Sequence, residues 1–357
     1  HSSPPGCRPV KKQGWHRFEK GQYYRLNSFL ESPVMAFQSG LDLPDIADIQ
    51  LAQARIRERA RQTPVVNSAG LDAALGCRLY CKCENLQRTG AFKFRGASNA
   101  IARLREERTE GDIATHSSGN HGAALALAAQ LDDRQAHIVM PDNSSPMKIK
   151  AVQSYGGVVH FCAPNHDSRA QGLARLVAEG KIPVHPYDHA DIIAGQGTAA
   201  LELEQEVPTI EQLLTPIGGG GLISGTAIAT RSWGVHVYGV EPEGAADTYS
   251  SLEQGRIIED YPIDTIADGL RAIVGQRNFQ IIGERVKQVL TVSDEEIRRA
   301  MALFWQKTRL LIEPSSATVI AAIRLYPEIF RGNTVGVILS GGNISPSDWN
   351  GMAGEFL

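Results

Sequence analysis

Short β-rich runs alternate with helical runs along most of this chain, and that alternation restricts the fold more than any other feature. The candidate strands are residues 78–83, 113–116, 137–140, 158–161, 182–185, 213–217, 235–240 and 334–339. Helical patterns lie between them at 97–108, 121–131, 147–155, 168–179, 192–206 and 222–233, after an amphipathic run at 45–61. Strands separated by such helices argue for parallel sheets covered on both faces. Two glycine-marked turns, one from Ser117 to Gly122 and one from Gly218 to Gly221, fall where a strand hands over to a helix. Ligands of open α/β sheets collect at the carboxyl ends of strands. The expected architecture is therefore α/β, with two open, mainly parallel twisted sheets flanked by helices and an active site in the cleft between them.

Within the segment Thr89-Gly-Ala-Phe-Lys-Phe-Arg-Gly96 a lysine sits where its charge is unwelcome. The helix that follows places Lys93 in or just before its first turn, at the positive end of the helix dipole. Phe92 and Phe94 on either side point to partial burial. Both effects favour the neutral amine, the form able to condense with a carbonyl. The plain alternative is a solvated lysine near a helix start.

Composition and charge exclude several function classes. The 357 residues are 42% hydrophobic and 21% charged, with a net charge of −3. Nothing in that balance suggests a nucleic-acid footprint, and no apolar run is long enough to predict a membrane span. Cys7, Cys77, Cys81, Cys83 and Cys162 are an odd set without metal spacing, and they suit a reduced, cytoplasmic chain. Residues 1–34 are basic and irregular, open on His-Ser-Ser and contain no Met, so they are expected to be a tag or non-native leader outside the fold.

Gly218, Gly219, Gly220 and Gly221 follow an apolar strand and precede a helix. Consecutive glycines let backbone N–H groups approach an anion, and the helix start adds a favourable field. No Lys-Ser/Thr follows, so a lone phosphate fits better than a nucleoside triphosphate. A purely conformational glycine run is the alternative. The turn Ser117-Ser-Gly-Asn-His-Gly122 offers hydroxyls and backbone donors suited to a carboxylate, although Ser and Asn here also suit ordinary N-capping. His121 reads as a structural hydrogen-bonder rather than a metal ligand. Leu339-Ser-Gly-Gly-Asn343 places the Ser340 hydroxyl at the end of the last strand, or forms a capped turn.

Taken in order, these pieces resemble the fold-type-II pyridoxal phosphate enzymes, in the serine/threonine dehydratase and serine racemase branch, a tryptophan synthase β-like fold. The matching segments are Glu84-Asn-Leu-Gln-Arg-Thr-Gly-Ala-Phe-Lys-Phe-Arg-Gly-Ala97, Ser117-Ser-Gly-Asn-His-Gly122, Ala194-Gly-Gln-Gly-Thr198, Gly218-Gly-Gly-Gly221, Ile266-Ala-Asp-Gly269, Ile312-Glu-Pro314 and Leu339-Ser-Gly-Gly-Asn343. They cover roughly Asp45 to Ile344.

The resemblance implies that Lys93 condenses with pyridoxal 5'-phosphate and later serves as the base at the substrate Cα. It implies that Gly218, Gly219, Gly220 and Gly221 hold the phosphate. Phe92, Asn120, Glu313 and Ser340 would line the cofactor, with Asn120 at its hydroxyl and Ser340 at the pyridine nitrogen. Ser117, Ser118, His121 and Arg169 would face the substrate, with Arg169 closing over it. Ser118 would also be the second acid or base of a racemase, whereas Tyr187 stands where dehydratases tend to carry an aromatic residue. Glu241, Ala245 and Asp247 resemble the cation site of the racemase branch, suited to Mg²⁺, Ca²⁺ or Mn²⁺ in a structural role.

Residues 112–188 would form a small mobile domain between two parts of a larger one, 41–111 and 189–351. The family suggests a homodimer. The short tail after Asn343 implies that the regulatory domain of biosynthetic threonine dehydratases is missing. The expected activity is an L-serine/L-threonine ammonia-lyase. The alternatives are a serine racemase with dehydratase side activity, a threo-3-hydroxyaspartate ammonia-lyase, and a catalytically silent cofactor-binding protein.

Overall fold

The structure, a computed structural model, describes residues 40–357 apart from Ser118, and for His166 the backbone alone. The leader expected at residues 1–34 lies outside the described residues, as does Cys7. The chain begins with α1 (Ile46–Ile56), which Asp45 caps by accepting from the amides of Ala47 and Asp48. Then come β1 (Val65–Asn67), α2 (Ala69–Leu75), β2 (Arg78–Cys83) and α3 (Lys93–Glu106). A middle run holds β3 (Ile113–His116), α4 (Asn120–Gln130), β4 (Ala136–Pro141), α5 (Pro146–Ser154), β5 (Val158–Cys162), α6 (His166–Ala178) and β6 (Ile182–Pro183). It is followed by α7 (Ala190–Glu206), β7 (Gln212–Pro216), α8 (Gly221–Ala229), β8 (His236–Pro242), α9 (Asp247–Gln254) and α10 (Gln276–Arg285). The chain closes with β9 (Gln288–Val292), α11 (Asp294–Thr308), α12 (Pro314–Leu325), α13 (Pro327–Phe330), β10 (Thr334–Leu339) and α14 (Pro346–Ala353).

The strands form two sheets. Six strands run in the order β1-β2-β10-β7-β8-β9 and four in the order β5-β4-β3-β6. Every pairing is parallel except β1 with β2. The strands β7 and β10 are buried almost throughout, as parallel strands covered on both faces must be. The α/β architecture with two open parallel sheets is therefore the observed one. The two strands that were not expected, β1 and β9, are the edges of the larger sheet. The strand expected at 182–185 stops at Pro183. The chain bends there because His185 Nδ1 accepts from the amides of Asp188 and Tyr187, at 2.9 and 3.4 Å, closing a turn instead of a ladder.

Close helix contacts fix the site's geometry. The helix α7 touches both α3 and α8, and the motif Ala194-Gly-Gln-Gly-Thr198 explains how. A Cβ on Gly195 would lie 2.6 Å from Gly96 Cα of α3, and one on Gly225 of α8 would lie 2.4 Å from Ile193 O of α7. Only bare backbone permits such approach. Gln196 Oε1 also accepts from Gly96 N at 3.2 Å. The helix carrying Lys93 and the helix beginning at Gly221 are thus pinned to one central helix. A buried ion network anchors α3 further. Arg95 meets Glu84 through Nε and Nη2, both at 2.8 Å, and Glu202 through Nη1 and Nη2, both at 2.7 Å.

Candidate active site

Lys93 is the first residue of α3, with Phe92 as its N-cap. Its Nζ donates to Pro186 O at 3.0 Å and lies 5.1 Å from the Phe92 ring centroid and 5.9 Å from that of Tyr187. Burial lowers its pKa from 10.5 to about 8, so a substantial fraction of the amine is neutral near physiological pH. It opens on a cavity of about 370 Å³ whose walls come from both sheets.

The far wall is the glycine loop. Gly218, Gly219, Gly220 and Gly221 all line the cavity, and the loop ends at the N-terminus of α8. Gly220 adopts φ +93°, the left-handed region that favours glycine. A Cβ on Gly219 would stand 2.3 Å from the Tyr187 ring. Backbone amides at a helix start, on residues with no side chains of their own, form a seat for an anion.

Between these walls the cavity floor is polar and fully connected. Asn120 opens α4, and its Nδ2 donates to Glu313 Oε1 at 3.0 Å. Asn120 Oδ1 accepts from Asn343 Nδ2 at 2.9 Å. Glu313 is buried, which raises its pKa, and it also accepts from Asn343 N at 3.2 Å. Ser340, at the end of β10, shares a hydrogen bond of 3.1 Å with the Ser316 hydroxyl. Ser316 is tied in turn to Gly341, accepting from its N–H and donating to its carbonyl.

On the side of the smaller sheet, the Ser117 hydroxyl oxygen accepts from Gly119 N at 3.2 Å and Gly122 N at 3.0 Å. Ser117 therefore does cap its own turn, and neither bond uses its hydroxyl hydrogen. Ser118 lies outside the described residues. His121 is buried on the cavity edge, and burial, then the Lys93 charge, pushes its pKa well below the usual value and keeps it neutral. Arg169, in the first turn of α6, reaches the cavity and donates from Nε to Asn165 O at 3.3 Å.

Phe92, Lys93, Ser117, Asn120, His121, Arg169, Gly218, Gly219, Gly220, Gly221, Glu313 and Ser340 all line one cavity. Glu241, Ala245 and Asp247 are not among its lining residues. Glu241 ends on β8 and accepts from the amides of Thr248 and Tyr249 at 3.0 and 2.9 Å. Asp247 starts α9 and accepts from Val274 N at 2.8 Å. Among the described residues no group of three or more His, Cys, Asp and Glu side chains converges as a metal cage.

Asn343, Ser316 and Lys148 also belong to this site, although no sequence pattern singles them out as site residues. Asn343 was inside a flagged motif, and its Nδ2 also reaches Thr89 O at 2.8 Å. That carbonyl belongs to the Thr89-Gly90 turn, which is left-handed at both residues. Lys148, on α5, lines the cavity and is ion-paired with Asp268 on the opposite wall.

Comparison with known proteins matches the geometry. Residues 56–341 fit the family described as "Pyridoxal-phosphate dependent enzyme". The chain is 41% identical to a serine racemase of Dictyostelium discoideum over 309 residues, 85% of this chain and 95% of that protein. It is equally 41% identical to an L-threo-3-hydroxyaspartate ammonia-lyase of Pseudomonas sp, over 85% of this chain and 97% of the relative. The solved structure of a threonine deaminase from T.th. superposes with a TM-score of 0.80 at 38% identity, covering 85% of this chain and 99% of the other. The chain belongs to the pyridoxal-phosphate dependent enzymes, a family with both lyase and racemase members.

Proposed function

We propose that this enzyme is an ammonia-lyase for L-serine and L-threonine, removing the β-hydroxyl and the amine to leave a 2-oxo acid and ammonia. One observation carries the reading: a buried amine of lowered pKa faces a glycine-built anion seat across a single cavity. When bound, pyridoxal phosphate supplies an aldehyde for the substrate amine and a ring that takes up electrons left at Cα.

The residues around the cavity would then divide the work. Gly218, Gly219, Gly220 and Gly221 hold the phosphate with the α8 N-terminus behind them. Asn120, oriented by Glu313 and Asn343, meets the ring hydroxyl, and Phe92 packs beside the ring. Ser340 meets the pyridine nitrogen. Its hydroxyl, steadied by Ser316, carries no charge to draw a full proton there, which favours loss of the β-substituent over lasting charge at Cα. Lys93, neutral in a useful fraction, takes the Cα proton. Ser117 and the adjacent backbone hold the substrate carboxylate, with neutral His121 alongside. Arg169 closes over the substrate as residues 112–188 move as a lid, excluding water.

A second reading has its own support. Arg169 lines the same cavity as Lys93 and can meet an added carboxylate, and the relative named L-threo-3-hydroxyaspartate ammonia-lyase supports threo-3-hydroxyaspartate as a substrate. The relatives named serine racemase support racemisation, with Ser118 as the acid or base on the opposite face.

A structural Mg²⁺, Ca²⁺ or Mn²⁺ completes the proposal at Glu241, Asp247 and the Ala245 carbonyl. The donors there are all oxygen. Burial, then the Asp247 charge, holds the Glu241 pKa well above the carboxylate range, and a cation beside the pair would offset both. A homodimer in a reducing cytoplasm is part of the same reading.

A substrate panel tests it. The purified enzyme is incubated with L-serine, L-threonine and L-threo-3-hydroxyaspartate, and 2-oxo acid is assayed alongside chiral analysis of the recovered amino acid. No 2-oxo acid from serine or threonine refutes the primary reading. Product from hydroxyaspartate alone selects the second, and inversion without elimination selects a racemase. Visible cofactor absorbance with no turnover of any substrate leaves only a silent binding protein.

A further inference from the structure

The glycine loop does not hold its own shape; a side chain outside the cavity holds it. Asn278, in the first turn of α10, is fully buried and is not a cavity-lining residue. Its Nδ2 donates both ways, to Gly219 O at 2.7 Å and to Tyr187 O at 3.2 Å. The orientation is forced, because both neighbours are carbonyls and only the NH₂ end can face them. Asn278 Oδ1 is left buried without a hydrogen-bond partner among the described residues, an arrangement native packing rarely tolerates.

The backbone is seated on this residue as well. A Cβ on Gly220 would lie 2.6 Å from Asn278 Cβ, and Gly275 N adds a second donor to Gly219 O at 3.1 Å. The peptide unit is planar and trans. Drawing Gly219 O toward α10 therefore turns the N–H of the same peptide, that of Gly220, the opposite way. A donor that an anion on the loop would meet is thus aimed by a side chain that never touches the anion.

The other arm of Asn278 holds the turn of residues 185–188. That turn is fixed again by Asp188, whose carboxylate accepts from Gln276 N and Arg277 N at the start of the same helix, at 3.1 and 3.0 Å. Its Pro186 O accepts from Lys93 Nζ. The Asn278 amide therefore ties the glycine loop directly to the turn that faces Lys93, alongside the Gly275 and Asp188 bonds.

We propose that Asn278 is a positioning residue for the phosphate end of the site, clamping the glycine loop and the 185–188 turn at a fixed spacing and aiming the Gly220 amide at the anion. This rests on the cofactor reading above. Its test compares two probes that differ only in the phosphate: pyridoxal phosphate and pyridoxal, each titrated into full-length protein freed of cofactor and followed by visible absorbance.

For the unaltered chain, pyridoxal phosphate binds far more tightly than pyridoxal. For Asn278→Ala the ratio of the two dissociation constants falls about tenfold, the loss of roughly one well-placed hydrogen bond. General destabilisation weakens both probes together and leaves the ratio unchanged, so an unchanged ratio overturns the proposal. Should Asn278→Ala fail to fold, Asn278→Ser, whose short hydroxyl cannot span both carbonyls, carries the same expectation. If the unaltered chain binds neither probe, the cofactor reading itself falls, and the proposal with it.

Discussion

Two buried clusters of charged side chains outside the cavity handle burial in opposite ways. Behind Lys93, Arg95 and Lys82 are matched by Glu84 and Glu202, with Glu206 at the rim. Lys82 Nζ also donates to Thr63 O at 2.6 Å. Burial alone would lower the Arg95 pKa, and the carboxylates of Glu84 and Glu202 more than reverse it. Burial likewise works against the Glu84 carboxylate, and the Arg95 charge overcomes it. At the end of β8, by contrast, Glu241 and Asp247 are both buried, with backbone amides as their hydrogen-bond donors. Burial raises the Asp247 pKa from 3.8 to about 7. A balanced network can serve as pure scaffold, whereas an unbalanced pair must take up a proton or a cation. The first holds α3 and therefore Lys93 in place; the second is a candidate for binding.

The difference predicts opposite signs for removing a charge. Arg95→Ala leaves Glu84 and Glu202 buried with Lys82 alone, and is expected to cost about 3–5 kcal/mol. Denaturant unfolding at neutral pH measures it. A loss below about 1 kcal/mol would mean that the network is loosely solvated and would break the comparison at its stronger half.

The next effect is in pH. Asp247 titrates near 3.8 when unfolded and near 7 when folded. Between those values the folded chain binds more protons than the unfolded one, so stability falls as pH rises through the window, and Glu241, also raised, adds to the fall in the same direction. The Asp247 part of the loss is at most about 4 kcal/mol, since each unit is worth about 1.36 kcal/mol. Unfolding curves between about pH 4 and pH 8 in chelator, compared with those of Asp247→Asn, isolate it. Asp247→Asn should flatten the slope and be the more stable protein at pH 8, the reverse of the Arg95 result. Equal slopes in the two proteins would show that Asp247 is not what titrates.

The Glu241–Asp247 pair was legible as one short acidic turn after a strand, whereas the balanced network was not visible as a cluster. Glu84 and Arg95 share one motif, but Glu202 lies 107 residues beyond Arg95, and no periodicity links it to them. The Asn120–Glu313–Asn343 floor likewise joins three separate motifs, each of which stands out for a different reason. What could be read were features that chain order itself encodes. The strands β2, β3 and β10 fall at the expected residues because apolar runs bounded by turn residues declare themselves locally. The glycine loop was legible for the same reason, as four neighbours between a strand and a helix. β1 was not, since three residues carry no usable alternation, and its strand state comes from pairing with β2. Asn278 was hidden as well, because a single Asn in a helix announces nothing until the carbonyls it meets are known.

The smallest expected effect separates a proton from a cation at the Glu241–Asp247 pair. At pH 8 both carboxylates are driven toward ionisation, and millimolar Mg²⁺ or Ca²⁺ should raise the melting temperature by a few degrees, about 1–2 kcal/mol in a chain of this size. At pH 5 protons already relieve the pair, so the same cation should do little. Asp247→Asn should abolish the response at both pH values, while Arg95 variants, though far less stable, should keep it. A cation shift that survives Asp247→Asn would place the ion elsewhere. No shift at pH 8 would mean that a shared proton suffices, and the unbalanced pair would then be only a source of pH sensitivity.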